Sequence, residues 1–338
     1  MALLEVKDLK VHFKIQDGWV KAVDGVSFSI DSGQTLGLVG ESGCGKTTAA
    51  YAITQLLPTN AYIKGGKIVF KGRDLLAISK KADGTLDDYN EDIRKIRWKE
   101  ISMIFQGAMN AFNPVFRIGD QIMEAIQLHE DVDDDKALER AKALFNFVGI
   151  PEDRIANFPH EFSGGMKQRA MIALALALSP SFIIADEPTT ALDVITQDRI
   201  LVEIKKLQEK LNMAMMIITH DVSVVAEVSD KIAVMYAGKI MEIGKTAHVF
   251  KNTAHPYTAG LLGSFPSIMG PKTRLASIPG FPPDLVNPPS GCPFHPRCGY
   301  AQDICSKKVP PGVEIEPGHF SYCLLTNELW DKLKRGVK

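Results

Sequence analysis

The run Thr35-Leu36-Gly37-Leu38-Val39, followed at once by Gly40-Glu41-Ser42-Gly43-Cys44-Gly45-Lys46-Thr47-Thr48, constrains this chain more than any other stretch. Five mostly apolar residues read as a buried strand. Glycines then let the backbone turn sharply, and the apolar spacing after Lys46 is helical. A strand, a loop of the form G-x-x-x-x-G-K-[ST] and a helix belong to an α/β fold with a covered, mostly parallel sheet. In such a loop successive backbone N–H groups converge on phosphate oxygens, and the helix N-terminus adds the positive end of its dipole. Ser42, Gly43, Cys44, Gly45, Lys46, Thr47 and Thr48 are therefore candidates to hold a polyphosphate. Lys46 would meet the β and γ phosphates, and the Thr47 hydroxyl would ligate Mg²⁺. A purely structural glycine turn is the competing reading, but the pattern arises by chance in roughly one chain in a hundred of this length, and its strand–helix setting narrows that further. Cys44 reads as a small residue filling a tight loop.

The rest of the chain supplies the sheet. Apolar strands are expected at Ile101 to Phe105, Phe182 to Ala185, Met213 to Ile218 and Ile232 to Tyr236, while the alternation from Leu3 to Ile30 reads as antiparallel strands with one solvated face. Between Gly107 and Pro180 the strand signals stop. Ile118 to Leu128 and Lys136 to Val148 carry helical spacing around the acidic stretch His129 to Asp135, which implies an inserted helical subdomain over about 107–180. Thirteen of the 19 prolines lie between Pro256 and Pro317, too many for long regular elements, so a loop-rich C-terminal module is expected over 256–338 after a nucleotide-binding domain over 1–255. A length of 338 residues suits about two domains.

Charge excludes several partners. Lys plus Arg number 39 against 40 Asp plus Glu, with no long block of one sign, so a nucleic-acid partner is not expected and a bound anion must be held locally. The N-terminus lacks the order of a signal peptide. The longest apolar stretch, Ala170 to Leu178, is too short to span a bilayer.

A second polar pair stands at the end of a strand. Phe182-Ile183-Ile184-Ala185 runs into Asp186-Glu187, two carboxylates at the carboxyl edge of a parallel sheet, where ligands of such folds sit. Asp186 could hold Mg²⁺ through water and Glu187 could polarise an attacking water. Alone, such a pair is more often a solvated strand end; beside a phosphate loop it reads as chemistry.

Upstream, Phe162-Ser163-Gly164-Gly165-Met166-Lys167-Gln168-Arg169 resembles the signature of ATP-binding-cassette ATPases, whose usual form is L-S-G-G-Q. Phe162 and Met166 depart from it; Ser163, Gly164 and Gly165 do not. Gln106 corresponds to the family's lid glutamine, Thr190-Ala191-Leu192-Asp193 to its segment that crosses between monomers, and His220 to its switch histidine. Phe13 matches the aromatic that stacks on adenine, with Trp19 as a rival. The resemblance implies a RecA-like P-loop core with an antiparallel β subdomain, an inserted helical subdomain and the C-terminal module. It further implies ATP and Mg²⁺ as ligands, with Thr47, Gln106 and Asp186 at the metal. Glu187 would orient or deprotonate water and His220 would meet the γ-phosphate. Two subunits would face head to tail, so that Ser163, Gly164, Gly165 and Asp193 of one close over ATP held by the other.

The C-terminal module adds Cys292, Cys298, Cys305 and Cys323 at spacing C-x5-C-x6-C-x17-C. Reducing surroundings disfavour disulfides for a cytosol-facing chain. Structural zinc prefers closely spaced cysteine pairs, whereas iron–sulfur clusters take four thiolates with more varied spacing, so a [4Fe-4S] cluster is expected, with Zn²⁺ and free thiols as alternatives. His295 and His319 are spare ligands or scaffold. Together with His255 to Leu262 (HPYTAGLL) and Ile278 to Leu285 (IPGFPPDL), this tail resembles the ATPase subunits of oligopeptide and dipeptide permeases. That implies import of peptides from the cytoplasmic face of the membrane, with a second ATPase subunit (a heterodimer or a homodimer), two transmembrane permease subunits and, indirectly, an extracytoplasmic peptide-binding protein. Nickel or oligosaccharide cargo is the alternative, and a soluble cassette ATPase outside transport a more remote one.

Overall fold

A computed structural model of the chain describes residues 2–87, 89–107, 111–188, 194–264 and 278–336. Its strands are β1 (Leu4–Ile15), β2 (Gly18–Ile30), β3 (Thr35–Val39), β4 (Ala61–Phe70), β5 (Arg73–Asp74), β6 (Ile101–Ile104), β7 (Phe182–Asp186), β8 (Ala214–Thr219), β9 (Lys231–Tyr236), β10 (Lys239–Lys245), β11 (Val313–Glu316) and β12 (His319–Ser321). Its helices are α1 (Lys46–Ile53), α2 (Leu75–Ser79), α3 (Glu91–Ile96), α4 (Ile118–His129), α5 (Asp134–Phe147), α6 (Gly164–Ala175), α7 (Val194–Leu211), α8 (Val222–Val228), α9 (Thr246–Lys251), α10 (Pro256–Gly263), α11 (Asp303–Lys307) and α12 (Thr326–Gly336). The chain forms two compact units, one of residues 1–30, 35–88 and 219–338, the other of 31–34 and 89–218.

In the first unit β2, β1, β4 and β5 form an antiparallel sheet in that order, with Leu4 paired to both Ile30 and Phe70. The alternation that marks β1 and β2 buries Leu4, Val6, Leu9 and Val11 against one face. β4 carries no such signal, because Gly65-Gly66 interrupts it. Gly66 has φ +94°, and a Cβ there would lie 2.5 Å from the Asp8 carbonyl oxygen. The register of β1 against β4 shifts between Lys7 and Lys10, opposite these glycines, so the interruption is a bulge inside a strand. The same unit holds strands in the order β11, β12, β10, β9, β3. β3 and β9 are parallel and fully apolar at their centre, whereas β10, β12 and β11 are antiparallel.

In the second unit β8, β7 and β6 are parallel, with Ile101 opposite Phe182 and Phe182 opposite Ala214. All the residues of β6 and β7 are buried, as strands covered on both faces require. α4 buries Ile118, Ile122, Ala125 and Ile126, and α5 buries Ala137, Ala141 and Phe145, each set one stripe of a helix. The acidic stretch is the start of α5: Asp133 accepts from the Lys136 N–H at 2.9 Å, and Asp134 and Asp135 sit at the positive end of the dipole.

The regular elements of the C-terminal module are short or lie beyond its last proline: β11 and β12 extend the edge of β10, and α12 begins after Pro317. The module's metal-binding character is not supported: among the described residues no group of three or more His, Cys, Asp or Glu side chains stands in a metal-ligating arrangement. Packing and hydrogen bonds tie the module to β9 and β10. Tyr257 and Phe294 pack on Tyr236 with ring centroids 4.6 and 5.3 Å away. His319, expected as a spare ligand or scaffold, is scaffold: its Nε2 lies 2.8 Å from Glu242 Oε1, both side chains being fully buried. No helix among the described residues is long and apolar enough to cross a membrane.

Candidate functional site

The phosphate loop is shaped by the backbone around it. Gly40 and Gly45 have φ +155° and +104°, and a Cβ on either would lie 2.0 Å from a carbonyl oxygen, that of Met235 or of Ala22. No other residue fits at these two positions without moving a strand. Gly45 caps α1 without a side-chain hydrogen bond, so the first N–H groups of that helix are left for a ligand. Lys46 turns back into the loop and donates from Nζ to the carbonyl oxygens of Gly40 at 2.8 Å and Glu41 at 2.9 Å. Thr47 and Thr48 follow in the first turn, and Ser42 and Gly43 are exposed at the rim. This cradle, closed to side chains and lined by N–H groups and one ammonium, fits a polyphosphate. Cys44 is buried, and burial pushes its thiol up, which matches an inert filler.

β7 delivers the two carboxylates. Asp186, its last residue, is fully buried. Glu187 follows with φ +47°, a left-handed conformation uncommon for a residue with a Cβ, and its N–H donates to the Ile218 carbonyl at 2.8 Å. That turn aims its side chain beyond the strand end, where Oε2 accepts from Gln106 Nε2 at 2.8 Å. Gln106 and Glu187, which lie 81 residues apart, are thus brought together. Backbone strain at a residue held by its surroundings is a common mark of a functional position.

The signature segment opens α6. Ser163 is its N-cap and its Oγ accepts from the Met166 N–H at 3.3 Å, with Gly164 and Gly165 as the first helical residues. Phe162 is buried edge-on against Phe145, ring centroids 6.2 Å apart, so the departure from leucine is a change of core filling. Gln168 is buried and donates to the Pro188 carbonyl, which ties α6 to the residue after Glu187. Met166 makes the described Ser163 contact through its backbone, which leaves its side chain unneeded for the cap.

His220 is exposed on the turn between β8 and α8. Asp193, with Thr190, Ala191 and Leu192, lies outside the described residues. Phe13 is half-buried on β1 opposite Val20 and Ala61. Trp19 lies on the other face of the ribbon, edge-on to Tyr62 at 5.0 Å with Lys64 Nζ 3.7 Å over its ring.

The four C-terminal cysteines line one cavity with His255, His295 and Phe294, and none is in a disulfide. The Leu325 N–H points at Cys323 Sγ at 3.4 Å. Burial, reinforced by the neighbouring thiols, pushes Cys292 up to about 12 and Cys323 up to about 11. His255 is fully buried, accepts the Tyr257 N–H at Nδ1, and is pushed down to about 3 by that burial. No signal in the sequence links the residues by which this module reaches the phosphate loop: the Glu41 N–H donates to Tyr257 Oη at 3.0 Å, and the Glu41 carboxylate meets Arg297.

Comparison with known proteins agrees with this geometry. A family model described as "ABC transporter" matches residues 23–190, and one described as "Oligopeptide/dipeptide transporter, C-terminal region" matches 241–305. The chain is 47% identical over 322 residues to the oligopeptide transport ATP-binding protein OppD of Bacillus subtilis, covering 94% of this chain and 87% of that one. It is 45% identical to OppD of Escherichia coli (95% and 93% covered) and 47% identical to the dipeptide transport ATP-binding protein DppD of Lactococcus lactis (94% and 89%). Among solved structures, a dimeric post-hydrolysis state of the ATP-binding cassette MJ0796 bound to ADP and Pi superposes with TM-score 0.62 at 25% identity, over 72% of this chain and 98% of that one. With its phosphate loop, strand-end carboxylates and signature helix in place, the chain belongs to the ATP-binding-cassette transporter family, and carries the C-terminal region of that family's oligopeptide and dipeptide transporters.

Proposed function

We propose that this chain is the ATP-hydrolysing subunit that powers import of di- and oligopeptides. In this reading it sits at the cytoplasmic face of the membrane with a second ATPase subunit and two permease subunits, fed by an extracytoplasmic peptide-binding protein. The observation that carries the peptide cargo is the match of residues 241–305 to the C-terminal region of oligopeptide and dipeptide transporters, and hydrolysis is supported by the Gln106–Glu187 hydrogen bond beside buried Asp186. Glu187 is the group that orients or deprotonates the attacking water, and Gln106 holds one of its oxygens until the site fills. Lys46 exchanges its two carbonyl partners for phosphate oxygens. Thr47, Gln106 and Asp186 supply the hard oxygen donors that suit Mg²⁺, which would neutralise phosphate charge. Ser163, Gly164, Gly165 and Asp193 serve the nucleotide of the facing subunit, His220 meets the γ-phosphate, and Phe13 stacks on the base. The domain division 1–255 and 256–338 belongs to the same reading.

A [4Fe-4S] cluster on Cys292, Cys298, Cys305 and Cys323, or Zn²⁺ in its place, is the finer part of this proposal. Its support is donor chemistry alone: four thiols line one cavity, and four thiolates are the donor set such clusters take. Protein purified without oxygen should then contain iron and sulfide; zinc without sulfide would replace the cluster, and neither would remove the metal.

Uptake of labelled peptides, nickel and oligosaccharides by cells lacking the chain tests the cargo. Peptide uptake should fall to background and return with the wild-type chain but not with Glu187→Gln. Unchanged peptide uptake with loss of nickel or oligosaccharide uptake would overturn the peptide reading.

A further inference from the structure

Glu41 places a carboxylate inside a loop built to wrap an anion, and a free negative charge there would oppose the phosphates it should receive. It is not free. Arg297 grips it with two nearly parallel bonds, Nη1 to Oε2 at 2.7 Å and Nη2 to Oε1 at 3.0 Å, the fork geometry that makes such pairs strong and directional. The arginine is itself fixed: its side chain is 7% exposed, Nε donates to the Pro279 carbonyl at 2.7 Å, Nη2 to the Gly280 carbonyl at 3.2 Å and Nη1 to Tyr236 Oη at 3.2 Å. Its guanidinium also lies 5.6 Å from the centre of the Tyr236 ring.

The other end of Glu41 is tied to the same part of the chain. Its N–H donates to Oη of Tyr257, whose ring packs on Tyr236 and on Phe294. Phe294 and Arg297 lie between Cys292 and Cys298, so the segment that carries two of the four thiols also carries the guanidinium that holds the loop. A surface ion pair would be worth little here. This one is largely removed from solvent and sits within the nucleotide site itself, where uncompensated charge acts through a lower effective dielectric.

We propose that Arg297 is a positioning residue for nucleotide binding: from within the cysteine module it neutralises Glu41 and holds that carboxylate away from the phosphates, so that the folding of the module sets the affinity of the phosphate loop for Mg–ATP. This rests on the reading of the loop as an ATP site. Arg297 touches no substrate; it acts through Glu41. A tail that merely braces the core would predict that losing Arg297 loosens the tail whatever residue stands at 41. Charge neutralisation predicts instead that the damage depends on the carboxylate.

The test is Mg–ATP binding to the purified full chain by calorimetry, with limited proteolysis of the tail alongside. Arg297→Met should weaken ATP binding by about 10-fold or more, and Glu41→Gln added to it should restore at least about 5-fold, because the unpaired carboxylate is then gone. In turnover assays the same pair should move KM for ATP and leave kcat little changed. If the Met variant fails to fold, Arg297→Lys, which keeps the charge but loses the fork, carries the test: a loss of about 3-fold, recovered by Glu41→Gln, supports the assignment. Equal binding by wild type and Arg297→Met would overturn it. So would a double variant, in the Met or the Lys series, as weak as its Arg297 single variant. Failure of the wild-type chain to bind ATP, with Lys46→Ala no different, would instead overturn the ATP-site reading and this inference with it.

Discussion

Two helices of this protein begin at glycine-rich segments suited to anions, and they are built in opposite ways. α1 starts at Gly45, which offers its N-terminus no side-chain cap, and the loop before it is pinned by carbonyls that leave no room for a Cβ. α6 starts at Ser163, whose hydroxyl caps its own helix through the Met166 N–H, while Phe162 anchors the segment in a core. The first is specified by backbone geometry, so Gly40 and Gly45 tolerate no exchange. The second is specified by one hydroxyl and a hydrophobic anchor, so the residues on either side of Ser-Gly-Gly can differ from the family's usual form while the helix start is kept. Departure from a motif therefore carries different weight at the two sites.

That contrast can be broken by substitution. Gly45→Ala should abolish ATP binding and cost about 3 kcal/mol or more of stability, since its Cβ would meet the Ala22 carbonyl at 2.0 Å on a left-handed backbone; calorimetry and thermal unfolding check it, and an alanine variant that binds normally would show that backbone fit does not govern the loop. If Ser163 serves the nucleotide of the facing subunit, as proposed, Ser163→Arg should cut turnover of the assembled transporter by about 100-fold yet change the ATP affinity of the isolated chain by less than about 2-fold. Equal loss of affinity in the isolated chain would place Ser163 at its own nucleotide. Phe162→Leu should have the smallest effect, about 1 kcal/mol of stability from the lost edge contact with Phe145, with turnover kept. A collapse of turnover there would mean that the signature is read through its first side chain.

What the sequence could tell follows the same division. Local chemistry was legible: the strand–loop–helix at 35–53, the alternation of β1 and β2, and the stripes of α4 and α5 all arise from residues a few positions apart. β4 was not, since Gly65-Gly66 breaks its alternation and only the bulge opposite Asp8 explains them. The pairing of β12 with β10 was hidden because a three-residue strand is too short to show a period. Gln106 and Glu187 could be marked separately by family resemblance, but their hydrogen bond spans 81 residues. The Arg297–Glu41 pair spans 256 and was not legible, because nothing local to either residue names the other as its partner. The packing of the tail was hidden for a related reason: no periodicity within it marks Tyr236, in β9, as the residue that completes an aromatic cluster with Tyr257 and Phe294.

The central claim is that this chain hydrolyses ATP with Glu187 as the group acting on water. The most direct test compares wild type with Glu187→Gln in the reconstituted transporter, measuring ATP binding and phosphate release on the same samples. Binding should be retained while release falls by about 10²- to 10⁴-fold, because a neutral amide can hold the position but cannot take a proton. Phosphate release near the wild-type rate would contradict it.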